Sequence, residues 1–304
     1  MNAVILHAYG DVSQLSYETD EDMPEPGACE VRVRMRATSI NPVDWKIRSG
    51  QVRELFPLDL PEILGTDLSG EVDAIGEGAG GWSKGMRVMA KAGGTYAQYT
   101  VAKADTLAPI PDALSFEQAG ALPLVLTTGA QLIERAAKIQ PGQTVLVTGA
   151  LGSVGRVAVH VAKAHGAKVI AGVKSSQKEK AAALGAQLVV ALDDPKEMVH
   201  LHDLDAVADT VGGVVGEHAL KTLRDNGIYA TVVGGPKHPP ERGIRVEALM
   251  SVPDASRLEE LAFDVATGAL HIPIAQTFPL EQIQEATRIA EKGGVGGKIV
   301  LTIA

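Results

Sequence analysis

Residues 144–171, TVLVTGALGSVGRVAVHVAKAHGAKVIA, decide the fold of this chain. An apolar run rich in β-branched residues (144–147) leads into a glycine-rich turn (148–155). A segment with helical periodicity follows, and a second apolar run begins at Lys168. Strand, glycine turn, helix and strand in this order are typical of the βαβ unit that binds a dinucleotide.

The turn carries glycines at intervals of three residues, at Gly149, Gly152 and Gly155. This is a variant of the Gly-x-Gly-x-x-Gly pattern, in which glycines let the backbone turn tightly and approach a pyrophosphate closely. The helix that starts here directs unpaired N–H groups and its positive dipole end at the phosphates. The alternative is a βαβ turn without a ligand, but the strand and helix around the turn favour a dinucleotide site.

The end of the second apolar run indicates which dinucleotide binds. Sites for NAD usually place an acidic residue ~20 residues after the glycines, where it binds the ribose 2′-hydroxyl. Here that segment offers Lys174, Ser175, Ser176 and Lys178, and the first acid is Glu179. Ammonium and hydroxyl groups suit a 2′-phosphate, so the sequence predicts NADPH. The alternative is a solvated loop that happens to be basic.

Composition limits the other function classes. The chain has 304 residues, 28 basic against 37 acidic, and a net charge of −9, which argues against nucleic-acid or anionic-membrane partners. The N-terminal stretch MNAVILHAYGD lacks the basic and apolar regions of a signal peptide, and no apolar stretch is long enough for a membrane span. We therefore expect a cytoplasmic protein.

Metal and hydrolase chemistry find little support in the sequence. Cys29 is the single cysteine, which excludes a four-cysteine zinc site and argues against a thiolate-based catalytic one. The eight histidines are scattered, and neither a Gly-x-Ser-x-Gly elbow nor a His-Glu-x-x-His helix is present. We expect no metal site.

The pattern of predicted secondary structure changes twice along the chain. Short β-rich runs separated by Gly and Pro fill the first third, and Ser115 with Gln118 forms a capping box that starts a helix continuing, after Pro123, to about Lys138. Strands alternating with helices then predict an α/β fold with a doubly wound parallel sheet, its strands at 144–147, 168–172, 188–191, 206–210 and 228–233. The tail predicts a helix at 255–267, a strand at 272–278, a helix at 279–292 and a strand at 298–303.

Seven segments together resemble one known family. They are NPVDWKIRSG (41–50), ILGTDLSGEV (63–72), GTYAQYTVAKAD (94–105), ALSFEQAGALPLVLTTGAQLI (113–133), the TGALGSVG turn, ADTVGG (208–213) and GGKIVL (296–301). In this order they are similar to the zinc-free branch of the medium-chain dehydrogenase/reductases, the group of NADPH:quinone oxidoreductases, zeta-crystallin-like proteins and 2-alkenal or enone reductases. The resemblance implies a GroES-like β-rich catalytic domain at 1–119, a Rossmann NADP-binding domain at 120–265, and a return of 266–304 to the catalytic domain. It also implies a homodimer.

Zinc-dependent relatives place a cysteine before the aspartate of the first motif and a His-Glu pair after the glycine of the second. This chain has Asn41-Pro42-Val43-Asp44 and Gly65-Thr66-Asp67 in those places, which matches the metal-free branch.

The resemblance also implies roles for single residues. Asn41, Asp44 and Lys46 would be catalytic, with Lys46 also touching the cofactor. Thr127 would lie beside the nicotinamide, and Ser153 and Val154 would present N–H groups to the pyrophosphate. The remaining cofactor contacts would come from the glycines of the turn, from the segment of Lys174, Ser175, Ser176 and Lys178, and from Val211, Val232, Val233, Gly234 and Gly235. Structural roles are the alternative in the first motif: Asp44 as a helix cap or the partner of Arg48, and Asn41 as a turn former.

Two features depart from the family pattern. Leu192 stands where many relatives have a tyrosine that supports the 2′-phosphate, which weakens the NADPH prediction without reversing it. The proline-rich, charged stretch 236–242 is either a variable surface loop, which we favour, or a segment that shapes substrate entry.

The expected activity is therefore hydride transfer from NADPH to a quinone or an α,β-unsaturated carbonyl. The alternatives are a 2-alkenal or enoyl double-bond reductase and a non-catalytic NADPH-binding protein.

Overall fold

The computed structural model describes residues 1–237 and 241–304, so part of the 236–242 loop lies outside the described residues. The chain divides into two compact units. The first unit comprises residues 1–124 and 253–304, and the second comprises residues 125–252.

The strands of both units are numbered along the chain. They are β1 (Ala3–Leu6), β2 (Leu15–Glu18), β3 (Glu30–Ile40), β4 (Glu62–Ile63), β5 (Asp67–Ile75), β6 (Arg87–Lys91), β7 (Tyr99–Lys103), β8 (Ala108–Pro109), β9 (Thr144–Thr148), β10 (Lys168–Val173), β11 (Leu188–Ala191), β12 (Leu204–Asp209), β13 (Leu223–Thr231), β14 (Arg245–Ala248), β15 (Ile274–Pro279) and β16 (Lys298–Thr302). The α-helices are α1 (Pro42–Arg48), α2 (Phe116–Gly120), α3 (Pro123–Gln131), α4 (Ser153–Ala164), α5 (Lys178–Ala181), α6 (Pro195–Met198), α7 (Gly213–Lys221), α8 (Ala255–Ala266) and α9 (Ile283–Lys292).

The first unit is built around the long strand β3. One edge of β3 pairs antiparallel with β5, and the opposite edge pairs antiparallel with β7 at residues 30–34 and with β16 at residues 37–40. The apolar side chains of these strands alternate inward, and Val33, Met35, Leu68 and Leu301 are at most 1% exposed. The strand β16 is therefore part of the core of the first unit.

The second unit holds a parallel sheet in the order β11-β10-β9-β12-β13-β14 within the described residues. Numbered within the unit, this is 3-2-1-4-5-6, the order of doubly wound dinucleotide-binding sheets, with the switch point between β9 and β12. The predicted α/β class and the parallel sheet are confirmed. Such sheets bind ligands at the carboxyl ends of their strands next to the switch point.

Helix α4 follows directly from its sequence. Val157, Ala158 and Val161 lie on one face at i, i+1 and i+4 and are fully buried, whereas Lys163 on the opposite face is exposed. The helix starts after Gly152 and is followed by Gly166 at φ +75°, a left-handed conformation that suits glycine.

Local structure confirms some predictions and corrects others. The capping box at α2 is present, with Ser115 Oγ accepting from Gln118 N at 3.2 Å and Gln118 Oε1 accepting from Ser115 N at 2.9 Å. The segment predicted as a plain helix to Lys138 becomes a π-helix at Leu132–Ala137 and ends in the left-handed residue Lys138. Strand β14 was not predicted, because this short, half-exposed edge strand has little apolar alternation to reveal it.

Membrane-spanning helices were searched for throughout the described ranges. None of their helices combines the length and the apolar character that a bilayer crossing requires.

Candidate active site

The first motif forms the entry to helix α1. Asn41 is its N-cap, Pro42 is the first helical residue, and Asp44 Oδ2 accepts a hydrogen bond of 2.7 Å from Asn41 N. Asp44 therefore does cap the helix, which is one of its alternative roles. It does not pair with Arg48, whose Nη2 contacts Glu291 Oε1 at 2.7 Å.

Asp44 is also tied to two other parts of the first unit. Thr66 Oγ1 donates to its Oδ1 at 2.7 Å, and the Tyr96 hydroxyl donates to its Oδ2 at 2.9 Å. The side chain is buried, and this burial raises the pKa of Asp44 to about 6 although three hydrogen bonds favour the carboxylate. Asp44 is thus an internal anchor that holds α1, the Thr66 loop and Tyr96 together.

Asn41 belongs to a second buried cluster around Asp67. The carboxylate of Asp67 accepts from Ser39 Oγ, from Asn41 Nδ2 at 2.8 Å and from Leu124 N at 2.7 Å. Lys298 of β16 donates to Asn41 Oδ1 and lies 3.5 Å from Asp67 Oδ2. Strand β16 therefore brings a buried cation to the buried carboxylate of Asp67.

The amide of Asn41 has no donor to spare in this arrangement. Its Nδ2 faces Asp67 Oδ2 and, at 3.4 Å, the carbonyl oxygen of Ser39, while its oxygen accepts from Lys298. An amide nitrogen has two protons, and both are directed at these acceptors. Asn41 thus fixes the shape of the segment before α1.

Lys46 differs from its neighbours in the motif. It lies in the last turn of α1 and is half-buried, and its side chain makes no hydrogen bond or ion pair within the described part of the chain. A half-buried ammonium without an internal partner is available to an oxygen atom of a ligand.

The glycine turn of the second unit is packed against its own backbone. Gly149 adopts φ +62°, which a side chain would strain, and a Cβ on Gly155 would lie 2.3 Å from the carbonyl oxygen of Gly149. Gly152, Ser153 and Val154 start α4 at this point and are not buried. The turn therefore has the close, exposed backbone that a pyrophosphate site requires.

The side chain of Asp209 accepts hydrogen bonds from residues at the ends of the strands next to this turn. It is fully buried and accepts from Thr148 Oγ1 and the Tyr229 hydroxyl, both at 2.6 Å, and from the backbone N–H of Val211 and Gly212 at 3.1 Å. Burial, with Asp209 alongside, raises the pKa of Tyr229. The ends of β9, β12 and β13 are thus joined at one carboxylate. Sequence reasoning missed Thr148 and Tyr229 because their types are common in strands.

Among the candidate residues of the second unit, Thr127 carries a buried polar atom that has no hydrogen-bond partner within the described residues. It is 2% exposed, and its Oγ1 has no hydrogen-bond partner among the described residues. A buried hydroxyl without a partner is costly, so it indicates a position that a ligand completes. The family resemblance implies a nicotinamide beside Thr127, and such a ligand would satisfy this hydroxyl.

The predicted 2′-phosphate segment carries more negative charge nearby than the sequence suggested. Ser175 donates from both its N and its Oγ to Asp193 Oδ1 at 2.7 Å, and Lys178 Nζ contacts Glu197 Oε1 at 2.6 Å. Lys174 and Ser176 are exposed and make no direct contact with these two carboxylates. Asp193 and Glu197 were missed because they follow β11, the neighbour of the strand that carries the lysines.

The remaining predicted cofactor residues lie at the ends of β12 and β13. Val211 is 48% exposed and Val233 is 36% exposed. Val232 N donates to Asp209 O at 3.2 Å, and Gly234 O accepts from Thr231 Oγ1 at 3.0 Å, while Gly235 is exposed. Two exposed apolar side chains at the switch-point edge are a suitable surface for flat ring systems.

Metal ligands were considered for both units. Among residues 1–237 and 241–304, no group of three or more His, Cys, Asp or Glu side chains could hold a metal ion.

Two family models match the sequence. Residues 27–112 match the alcohol dehydrogenase GroES-like domain, and residues 184–301 match the zinc-binding dehydrogenase family. The chain is 30% identical to the 2-methylene-furan-3-one reductase of Solanum lycopersicum, covering 96% of this chain and 76% of that protein. It is 29% identical to the quinone oxidoreductase of Homo sapiens, covering 100% and 98%.

Solved structures show the same architecture. The quinone oxidoreductase of Coxiella burnetii matches with a TM-score of 0.89 at 29% identity, covering 100% of this chain and 99% of the other. A NAD-dependent alcohol dehydrogenase matches with a TM-score of 0.88 at 31% identity, covering both chains fully. A mycobacterial protein in complex with NADPH matches with a TM-score of 0.84 at 25% identity, covering 99% and 100%. With its GroES-like and Rossmann parts, its glycine turn and these relatives, the chain belongs to the medium-chain dehydrogenase/reductases and is an oxidoreductase similar to quinone oxidoreductases.

Proposed function

We propose that the protein is an NADPH-dependent, zinc-independent reductase that transfers hydride to a quinone or an α,β-unsaturated carbonyl. The observation that carries the proposal is the buried hydroxyl of Thr127, which has no hydrogen-bond partner among the described residues and for which the family resemblance implies a nicotinamide neighbour. The exposed backbone of the glycine turn supports the same cofactor at its pyrophosphate.

The choice of NADPH rests on the residues rather than on the relatives. One similar structure is described as NAD-dependent and another contains NADPH. Lys174 and Lys178 supply positive charge at the end of β10, where an NAD site usually has an acid.

The cofactor supplies the hydride, and the chain supplies binding and charge. Negative charge that develops on the carbonyl oxygen of the substrate needs a donor. We assign this contact to Lys46, because its ammonium is unpaired within the described residues whereas the protons of Asn41 are already directed at Asp67 and Ser39. Asn41 and Asp44 remain residues of the proposed site, with the task of holding the segment before Lys46 in place.

Quinones and conjugated enones suit such a site better than simple ketones. Their added charge is spread over several atoms, so a single ammonium and no metal is sufficient to stabilise it. Zinc independence is supported by the first motif, where the carboxylates of Asp44 and Asp67 accept hydrogen bonds from the protein itself.

The second candidate is a 2-alkenal or enoyl double-bond reductase. It is favoured by the likeness to the Solanum lycopersicum protein, whose name describes the reduction of an exocyclic enone. We further propose that the protein forms a homodimer, which the family resemblance implies, and that it is cytoplasmic, which the sequence indicates.

The test follows NADPH oxidation by its absorbance, with 9,10-phenanthrenequinone, 1,4-benzoquinone and a 2-alkenal in parallel and NADH as the cofactor control. Turnover with the quinones alone supports the first reading, and turnover with the alkenal alone supports the second. If NADPH binds without turnover on any of these substrates, the proposed reductase activity is wrong and a non-catalytic role replaces it.

A further inference from the structure

Two neighbouring strands of the second unit end in segments of opposite charge. Strand β10 is followed by Lys174 and Ser175, and its parallel neighbour β11 is followed by Asp193. Because parallel neighbours end at the same edge of the sheet, the acid after one strand can reach the donors after the other.

Asp193 takes up the two donors of Ser175. The N–H and the hydroxyl of Ser175 both point at Asp193 Oδ1, each at 2.7 Å. These hydrogen bonds, with the charge of Lys174 adding to them, lower the pKa of Asp193, so the group is a carboxylate at neutral pH. Ser175 thus binds an anion that belongs to the protein.

A second acid engages the other lysine of the segment. Glu197 accepts from Lys178 Nζ at 2.6 Å through Oε1 and from Ala191 N at 2.8 Å through Oε2, which holds it in place beside the segment. Leu192, directly before Asp193, has no polar atom to offer a phosphate. Of the two lysines in the segment 174–178, Lys178 is paired with Glu197, whereas Lys174 makes no ion pair within the described residues.

On the proposed use of a nicotinamide dinucleotide, we infer that Asp193 is a specificity-determining residue that weakens the binding of a 2′-phosphate and so narrows the preference for NADPH over NADH. A 2′-phosphate carries nearly two negative charges and needs the same N–H and hydroxyl donors that Asp193 holds. It must displace the Asp193 carboxylate and then lie close to it. A ribose 2′-hydroxyl meets neither obstacle and can donate to that carboxylate.

Substitution of Asp193 by asparagine tests the effect of the negative charge while the shape of the side chain is retained. The Asp193→Asn variant keeps an oxygen that can accept from Ser175 and removes the negative charge. Glu179→Gln is the matched control, because it removes the same charge from an exposed carboxylate on the adjoining helix α5. The Glu179 side chain makes no hydrogen bond or ion pair within the described residues.

The experiment measures dissociation constants for NADPH and NADH by nicotinamide fluorescence in the wild type and both variants. The competing ligands adenosine 2′,5′-bisphosphate and 5′-AMP isolate the 2′-phosphate without the nicotinamide. We expect Asp193→Asn to tighten NADPH and adenosine 2′,5′-bisphosphate on the order of tenfold, from the removal of one charge a few ångströms from a dianion. NADH and 5′-AMP should change less than about twofold, and the gain should shrink as salt is raised.

The outcomes separate the two proposals. If the wild type binds both dinucleotides but Asp193→Asn leaves the ratio of their dissociation constants unchanged, or if Glu179→Gln shifts that ratio equally, the role of Asp193 is wrong and the proposed function stands. If the wild type binds neither dinucleotide, both proposals are wrong.

Discussion

The hydroxyl of Tyr96 donates a hydrogen bond of 2.9 Å to Oδ2 of Asp44 in the interior of the first unit. Both side chains are buried, and burial raises both pKa values, that of Asp44 to about 6 and that of Tyr96 well above its ordinary value. The phenol therefore donates to the carboxylate in a hydrogen bond for which water does not compete.

This burial makes stability depend on pH in a definite direction. The pKa of Asp44 is about 6 in the folded chain and 3.8 without its surroundings, so between these values the folded state binds more protons than the unfolded state. The contribution of Asp44 is fully present below about pH 4 and is lost as pH rises through about 6, with a change of about 3 kcal/mol in the free energy of unfolding. Urea unfolding of the wild type and of Asp44→Asn across this range checks it, because their difference isolates Asp44.

Tyr96→Phe serves as the companion variant. It removes a donor that favours the carboxylate, so the pH window should move upward rather than disappear. Wild type and Asp44→Asn giving parallel curves would contradict the assignment.

Lys298 should be needed for the fold through Asp67. Replacing it by methionine removes the buried ammonium paired with the fully buried Asp67 carboxylate, and removing one partner of a buried ion pair typically costs about 3–5 kcal/mol. We expect Lys298→Met to lose stability in this range by denaturant unfolding. The double variant Asp67→Asn/Lys298→Met should lose less than the sum of the single variants, and additive losses would show that the two groups do not interact.

Substitutions of two glycines in the turn should have different effects, one on the stability of the fold and the other on cofactor binding. A Cβ at Gly155 meets the Gly149 carbonyl oxygen at 2.3 Å, whereas at Gly152 the same atom is 3.2 Å away. Gly155→Ala should destabilise the protein by about 2 kcal/mol or more, since backbone must move. Gly152→Ala should change the unfolding free energy by less than about 1 kcal/mol but weaken NADPH binding, because its methyl group stands where a pyrophosphate approaches. Equal losses of stability in both variants would argue against this geometry.

The sequence predicted the second unit well because local patterns determine it. The glycine turn, the apolar strands and the 3.6-residue period of α4 each reveal their structure within one short segment. The π-helix at Leu132–Ala137 escaped prediction, since its apolar residues fit an ordinary helix equally well.

The candidate site was less predictable, because its decisive contacts join residues far apart in the chain. Lys298 lies 257 positions from Asn41, and no spacing in the sequence connects them. Asp193 lies 18 positions from Ser175, beyond the strand and helix that intervene. Residue types were sufficient to predict Asn41 and Ser175 as site residues. Only the fold shows which groups of the protein already form hydrogen bonds with them.

The hydroxyl of Thr127 should contribute to the use of the cofactor and not to the stability of the fold. Its hydroxyl has no partner within the described chain, so Thr127→Val removes an unsatisfied polar atom while keeping the shape of the side chain. We expect the unfolding free energy to stay the same or rise by up to about 1 kcal/mol. NADPH oxidation should fall by roughly tenfold, the loss of one hydrogen bond to the bound cofactor. A stable variant with full activity would show that the hydroxyl does not face the nicotinamide.

Lys46 should be needed for the reaction and not for the fold. Lys46 is half-buried and its ammonium makes no hydrogen bond or ion pair within the described residues, so Lys46→Met should change the unfolding free energy by less than about 0.5 kcal/mol. If Lys46 stabilises the developing oxyanion, kcat/KM for quinone should fall roughly 100-fold, as for the loss of one such donor. Lys103→Met removes the same charge from the exposed end of β7 and should retain full activity. Because the interaction exists mainly in the transition state, the loss should fall on kcat. A loss confined to KM would instead place Lys46 against the cofactor or substrate in the ground state.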